Sequence, residues 1–218
     1  HRLRGMFWQR ILPVKFLGGV LGIGGGLALG REGPTVQMGG AVGQMVSQWL
    51  GSTPRERRTL IAAGAGAGIA AAFNAPLAGV VFVLEEMQRD FSPGVFTAAF
   101  IAAVTADVIA RLLTGQLPVF HVALLPVPPL SALPAFLALG VLAGALGVVF
   151  NRMLLGSLNL FQRTRRWPVW MPGALVGAGV GAVGWFAPEV LGGGHAVVER
   201  TLQGQMTLGA LVAIFVSR

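Results

Sequence analysis

Residues 64–86 read GAGAGIAAAFNAPLAGVVFVLEE, and this stretch decides the fold. It carries no charge before Glu85, but Asn74-Ala75-Pro76 interrupts it. Proline disfavours a helical conformation in the residue before it and donates no backbone hydrogen bond. The stretch therefore predicts two helical segments, neither comfortably long enough for a bilayer core that needs about 20 helical residues. Discontinuous helices of this kind often expose backbone groups to a substrate or ion.

The composition of the whole chain indicates a polytopic membrane protein. Of its 218 residues, 54% are hydrophobic and 11% are charged, whereas about 25% are charged in a soluble domain. So few charges cannot cover a water-soluble surface, which excludes a soluble domain, a disordered segment and a nucleic-acid-binding module. The chain contains no cysteine, which excludes a disulfide framework and a cysteine-based metal site.

Charge-free runs mark the candidate membrane helices: 16–30, 33–54, 59–84 with its break, 91–106, about 131–151, 167–188 and 201–217. The proline-rich stretch at about 115–130 predicts a loop. Arginines cluster between the apolar runs, at Arg55/Arg57/Arg58, Arg89 and Arg163/Arg165/Arg166, and the positive-inside rule places these loops in the cytoplasm. Glycines recur at four-residue spacing, which predicts close helix packing: Gly39/Gly43, Gly64/Gly68, Gly140/Gly144 and Gly173/Gly177/Gly181.

The most informative polar motif is GREGPTVQ, residues 30–37. Pro34 suits the first turn of a helix, and the free N–H groups and positive dipole end of such a helix attract an anion. An ionised Glu32 would compete with a small anion for this end, and protonation would release the carboxyl group. The motif thus predicts a proton-linked gate. The alternative is a structural pair between Arg31 and Glu32 at a helix cap.

A second acidic motif, Glu85-Glu86, ends the apolar stretch. Adjacent carboxylates beside an apolar helix are costly when both are desolvated and ionised, so one of them is expected to hold a proton part of the time. This pattern predicts a proton relay. The alternative is that both side chains are interfacial and pair with Arg89, one helical turn further on.

The remaining polar residues give weaker signals. Asp107 and Arg111 have the spacing of an ion pair on one helix. The single histidines form no ligand cluster, so we expect neither a metal nor a cofactor. The run Gly192-Gly193-Gly194 is interpreted as a turn.

Residues 30–37, Gly39-Gly40 and residues 64–86 together resemble the CLC family of chloride channels and chloride/proton antiporters. The resemblance implies an all-α membrane protein, a CLC-type bundle of tilted, partly re-entrant helices built from an inverted repeat. Residues 1–115 would form the later part of the first repeat, 116–130 an external loop and 131–218 the earlier part of the second repeat. We therefore expect an internal fragment, incomplete at both ends, in a cell inner or plasma membrane if the source is bacterial.

The resemblance also implies roles for individual residues. Glu32 corresponds to the family's external gate, which enters the anion path and exchanges protons, and Glu86 corresponds to the internal proton-transfer glutamate of the antiporters. The anion site implied around the gate comprises Arg31, Gly33, Pro34, Thr35 and Val36.

These roles predict chloride/proton antiport, with chloride and protons as the transported species and a homodimer in the lipid bilayer. Family channels typically carry a non-acidic residue at the position of Glu86, so this glutamate favours antiport over a passive chloride channel, which is the alternative. An enzyme or a structural membrane protein is a weaker alternative, since no second catalytic group accompanies Glu85 and Glu86. The family's serine and tyrosine anion-site segments have no counterpart in the chain, which leaves the preferred anion open.

Overall fold

The computed structural model describes residues 7–115, 128–163, 167–168 and 170–217. The α-helices of this part are α1 Trp8–Gly24, α2 Glu32–Trp49, α3 Pro54–Phe73, α4 Pro76–Phe82, α5 Pro93–Thr114, α6 Leu133–Arg163, α7 Trp170–Phe186, α8 His195–Leu202 and α9 Leu208–Ser217. A π-helix, Val83–Gln88, continues α4 and is called the π segment below. The all-α prediction is confirmed for the described residues, while most of the expected loop at 116–130 lies outside them.

The described residues belong to two compact units, one within His1–His121 and Glu189–Arg218 and the other within Val122–Pro188. Among the described residues, each unit contains one helix that is long and apolar enough to cross a membrane. In the first unit it is Pro93–Thr114, with a mean hydropathy of 1.8, and in the second it is Leu130–Gln162, with a mean hydropathy of 2.3. Both polar motifs of interest lie in the first unit. The assignment of 1–115 and 131–218 to two inverted repeats stays a prediction.

Several helix boundaries differ from the charge-free runs, because charged residues lie inside helices or because a glycine ends a helix within a run. Helix α1 begins at Trp8 instead of residue 16, since Arg10 lies exposed on its first turn. Helix α5 continues past residue 106 to Thr114 because two charged residues within it pair with each other. The run 201–217 divides into α8 and α9 around Gly204, which has a φ of 69°.

The predicted interruption at residues 74–76 is confirmed. Helix α3 ends at Asn74, which is in the left-handed conformation with a φ of 57°, and Pro76 begins α4. Helix α3 has 20 residues because it begins at Pro54, but charged residues occupy its start and it is not among the described helices apolar enough to cross a membrane. This agrees with the prediction that neither segment is comfortably long enough to span the bilayer core. Thr53 and Glu56 form a capping box at the start of α3. The Glu56 carboxylate accepts hydrogen bonds from the Thr53 backbone N–H and from the Thr53 hydroxyl group, and these two bonds, the backbone one more than the other, lower the pKa of Glu56.

Glycines bring α2 and α3 into backbone contact, as the four-residue spacing predicts. A Cβ atom on Gly39 would overlap the carbonyl oxygen of Gly64, and one on Gly64 would overlap that of Gly39. Gly43 lies in the same way against the carbonyl of Leu60. Helices α2 and α3 therefore approach more closely than any side chain would allow. By contrast, a Cβ atom would meet nothing within 4 Å at the glycines of α6 and at Gly173, Gly177, Gly179 and Gly181 of α7.

Substitution at this crossing should separate the two helices. We expect Gly39→Ala to destabilise the protein by about 1–3 kcal/mol, the usual cost of overpacking a filled interior. Thermal unfolding of the purified full-length protein in detergent measures the change. Gly40→Ala on the same helix is the matched control, because its Cβ atom would meet nothing closer than 3.6 Å. Equal melting temperatures for the two variants would contradict the predicted backbone contact.

Candidate functional site

The motif GREGPTVQ forms the start of α2, as predicted. Arg31 is the N-cap residue, Glu32 is the first helical residue and Pro34 lies in the first turn. The Thr35 backbone N–H donates to the Arg31 carbonyl at 3.1 Å, and the Thr35 hydroxyl lies 3.0 Å from the carbonyl oxygens of both Arg31 and Glu32. These contacts fix the first turn, while no side chain caps its N–H groups.

Only part of the predicted anion-binding set offers a free N–H group here. Pro34 has none, and the N–H of Thr35 is already donated to Arg31. In a helix that begins at Glu32, the N–H of Val36 belongs to the helical ladder. The backbone N–H groups of Glu32 and Gly33 have no carbonyl four residues earlier in the helix to bind, so they are available to a ligand. Gly33 also leaves space, since a Cβ atom there would meet nothing within 4 Å.

The carboxylate of Glu32 lies over Gly30, just before the helix. A Cβ atom on Gly30 would overlap the Glu32 Oε2 atom, so the side chain occupies space that only a glycine leaves open. Glu32 is half-buried, Arg31 is exposed, and no ion pair joins them. The alternative interpretation as a structural Arg31–Glu32 pair therefore finds no support in residues 7–115.

Glu85 and Glu86 lie in the π segment, which the sequence did not predict. Both side chains are exposed, whereas Val83 and Leu84 before them are buried. Arg89 ends the segment in the left-handed conformation, with a φ of 52°, and forms no ion pair with either glutamate. The alternative in which Arg89 pairs with these carboxylates is wrong for the described chain. π-Helical turns are rare and are frequent at functional sites.

Helix α3 packs against the elements that carry both candidate glutamates. One face of it packs on α2, with Gly68 against the Thr35 carbonyl, three residues after Glu32. Another face packs on α4 and the start of the π segment, where Gly66 lies against the Gly79 carbonyl and the Val83 side chain. The exposed Glu86 side chain itself makes no described contact with α3.

The break between α3 and α4 has a partner that sequence reasoning missed. The predicted Asp107–Arg111 pair forms on α5, with the Arg111 Nε atom 2.8 Å from the Asp107 Oδ2 atom. In addition, the Arg111 Nη2 atom donates to the Asn74 carbonyl at 3.3 Å. The spacing of Asp107 and Arg111 predicted their pairing, but no local signal connects either residue to Asn74, which lies 37 positions earlier than Arg111. Among the described residues, no three histidine, aspartate or glutamate side chains gather as metal ligands would.

Comparison with known proteins defines the class of this fold. A family model described as voltage gated chloride channel matches residues 1–218. The chain therefore belongs to the voltage-gated chloride channel family, whose members are integral membrane proteins, and the resemblance drawn from its motifs is confirmed.

Individual relatives carry more specific names than the family model. The chain is 40% identical over 226 residues to the "H(+)/Cl(-) exchange transporter ClcA" of Salmonella arizonae, covering 100% of this chain and 47% of the relative. The protein of the same name from Cronobacter sakazakii is also 40% identical and is covered to 48%. A crystal structure titled as a slow cyanobacterial Cl⁻/H⁺ antiporter superposes with a TM-score of 0.86 at 38% identity, over 96% of this chain and 50% of that one. The chain thus spans about half the length of the curated relatives it matches.

The contact between Glu32 and Gly30 should be testable by adding one methyl group. If the protein conducts chloride past this helix end, we expect Gly30→Ala to slow chloride flux about two- to tenfold, because the methyl group excludes the position that the Glu32 carboxylate occupies over Gly30 and forces the side chain off its rotamer. Chloride efflux from liposomes containing the full-length protein measures this rate. The effect should disappear in a Glu32→Ala background. Gly24→Ala, which meets nothing within 4 Å, is the control.

Proposed function

We propose that the protein exchanges chloride for protons across a membrane, with Glu32 as the external gate and Glu86 as the internal proton-transfer residue. The position of the Glu32 carboxylate carries this proposal: it lies beside the start of α2, half-buried and without an ion-pair partner in the described part of the chain. The names of the relatives, H(+)/Cl(-) exchange transporters and a Cl⁻/H⁺ antiporter, support the same function.

The chemistry of the gate follows from competition at one helix end. The N–H groups of Glu32 and Gly33 and the positive end of the α2 dipole attract a chloride ion, and they attract the ionised carboxylate in the same way. When Glu32 takes up a proton, its side chain is no longer attracted to the start of α2, and the anion can bind there instead. The arriving anion and the bound proton are thereby linked at a single site, with Arg31, Pro34, Thr35 and Val36 forming its surroundings.

Glu86 supplies the second proton site in this proposal. It follows the buried residues Val83 and Leu84, and its exposed carboxylate can exchange protons with water. In this proposal the proton and the anion take separate routes inside the subunit and share only the region of Glu32. A passive chloride channel would need no acid at position 86, so this residue favours antiport over the channel function.

The assembly follows the family pattern in our proposal. The complete protein forms a homodimer in the bilayer, and each subunit contains its own anion path. Residues 1–115 and 131–218 contribute to two inverted repeats, and residues 116–130 form the external loop between them.

Neutralising the gate should separate the two fluxes. In the full-length protein reconstituted in liposomes, we expect Glu32→Gln to abolish proton movement while chloride flux continues, because the amide occupies the same volume but exchanges no proton. The reversal potential under opposed chloride and pH gradients measures coupling directly. A potential that still depends on pH in this variant would overturn the assignment of Glu32.

Glu86 is tested by the same measurement. We expect Glu86→Gln to lower proton flux by about 10²-fold or more, the usual loss when a proton-transfer group is removed, and to leave chloride binding unchanged. Glu85→Gln is the matched control, since the neighbouring carboxylate is equally exposed on the same π segment. If Glu85→Gln removes proton flux and Glu86→Gln does not, the roles are reversed. A wild-type potential independent of pH would favour the passive channel.

A further inference from the structure

Asp107 and Arg111 form a charged pair inside an apolar helix that the proposed transport cycle does not use. The Asp107 side chain is 7% exposed and the Arg111 side chain is 39% exposed, and the Nε–Oδ2 distance is 2.8 Å. Charged residues within membrane helices are costly and are retained where they serve a purpose. The pair therefore calls for an explanation beyond the packing of α5.

The contact between Arg111 and Asn74 indicates that purpose. Asn74 ends α3 in the left-handed conformation, and the last carbonyl groups of a helix have no partner within it. The guanidinium group of Arg111 donates to this carbonyl through Nη2 and to Asp107 through Nε. One side chain thus connects the break in the α3–α4 segment to α5, while Asp107 fixes the orientation of its planar fork.

The geometry of the pair is poorly suited to a purely stabilising role. The second carboxylate oxygen of Asp107, Oδ1, is buried and accepts no hydrogen bond from the described residues. A buried ion pair with an unsatisfied oxygen is weak support for stability, and the best-attested use of such pairs is to fix one arrangement of neighbouring elements. Here the guanidinium group donates to the carbonyl of Asn74, which is the residue at the α3–α4 break.

A fixed break determines where Glu86 lies. Only Ala75 separates Asn74 from Pro76, and the proline ring restricts the backbone where α4 begins. Further along, Gly79 lies against the backbone of Gly66, and Val83 is 1% exposed. One face of α4 and the start of the π segment are therefore held against α3, and a displacement at Asn74 would reach Glu86 along these short elements.

We propose that Arg111, oriented by Asp107, is a positioning residue that holds the α3–α4 break and thereby sets the place of Glu86 in the proton route. This inference rests on the proposed antiport function. It assigns no proton to Asp107 or Arg111 and no contact with the anion, so it predicts an effect on coupling that exceeds the effect on chloride flux.

The first test uses the full-length protein in liposomes. We expect Arg111→Gln to lower proton flux relative to chloride flux on the order of tenfold, the effect of losing a hydrogen bond to a charged group. Arg111→Lys keeps the positive charge without the planar guanidinium group, so its loss of proton flux relative to chloride flux should be smaller. The loss in Asp107→Asn should lie between those of Arg111→Gln and Arg111→Lys. Arg152→Gln is the matched control, because Arg152 is an exposed arginine within the apolar helix α6 and forms no ion pair with a described residue. A change in the amount of folded protein alone would not move the reversal potential.

The second test does not depend on transport. Residues 1–218 contain no cysteine, so a single spin label can be placed on a cysteine introduced at Leu77, which is 71% exposed in the first turn of α4, once any cysteine elsewhere in the full-length protein is replaced. We expect the label to become more mobile in Arg111→Gln and to remain unchanged in Arg152→Gln. A wild-type protein without proton coupling would refute the proposed function, and the label would still test the contact at Asn74.

The two readouts together decide the inference. Reduced coupling with a mobile label supports it. Unchanged coupling in Arg111→Gln overturns it, and so does reduced coupling with an immobile label, since Arg111 would then act by another route. If Arg111→Gln does not fold, Arg111→Lys and Asp107→Asn are judged by the same criteria.

Discussion

The backbone contact between α2 and α3 is the constraint on which the rest of the first unit depends. Gly39 and Gly64 each lie against the other's carbonyl group, and Gly68 lies against the carbonyl of Thr35. This last contact is in the first turn of α2, only three residues from Glu32. The position of the candidate gate is therefore set by a crossing of two backbones, which has less freedom to adjust than a contact between side chains.

The features that the sequence predicted correctly are those with a local cause. Proline at position 76 restricts its predecessor and cannot donate, so the break at Asn74 follows from three consecutive residues. The Asp107–Arg111 pair follows from helical spacing in the same way. The roles of Glu32 and Glu86 came from a resemblance of motifs, and family membership agrees with that resemblance, while the roles themselves stay predictions.

The features that the sequence did not predict depend on distant neighbours or on small backbone adjustments. Arg111 reaches Asn74 because α3 and α5 pack side by side. No sequence pattern within either helix predicts that these two helices are neighbours. The π segment needs one more residue per turn than its flanking helix, and the apolar run before Glu85 looks the same in either form. The early start of α1 was missed because a search for charge-free runs passes over helical turns that carry Arg10.

The core that surrounds the α3–α4 break is made largely of small residues: Ala62, Ala70, Val80, Val83, Leu84, Val95, Ala99 and Ala103. Alanine has no side-chain rotamers and valine has few, so this interior loses little conformational entropy on folding and has almost no alternative packing to adopt. A transporter must nevertheless alternate between states. Large, flexible core side chains could absorb such a change by repacking, but these cannot. In the proposed cycle the movement therefore falls to groups outside this core: the Glu32 side chain over Gly30 and the exposed later part of the π segment, where Glu85 and Glu86 lie.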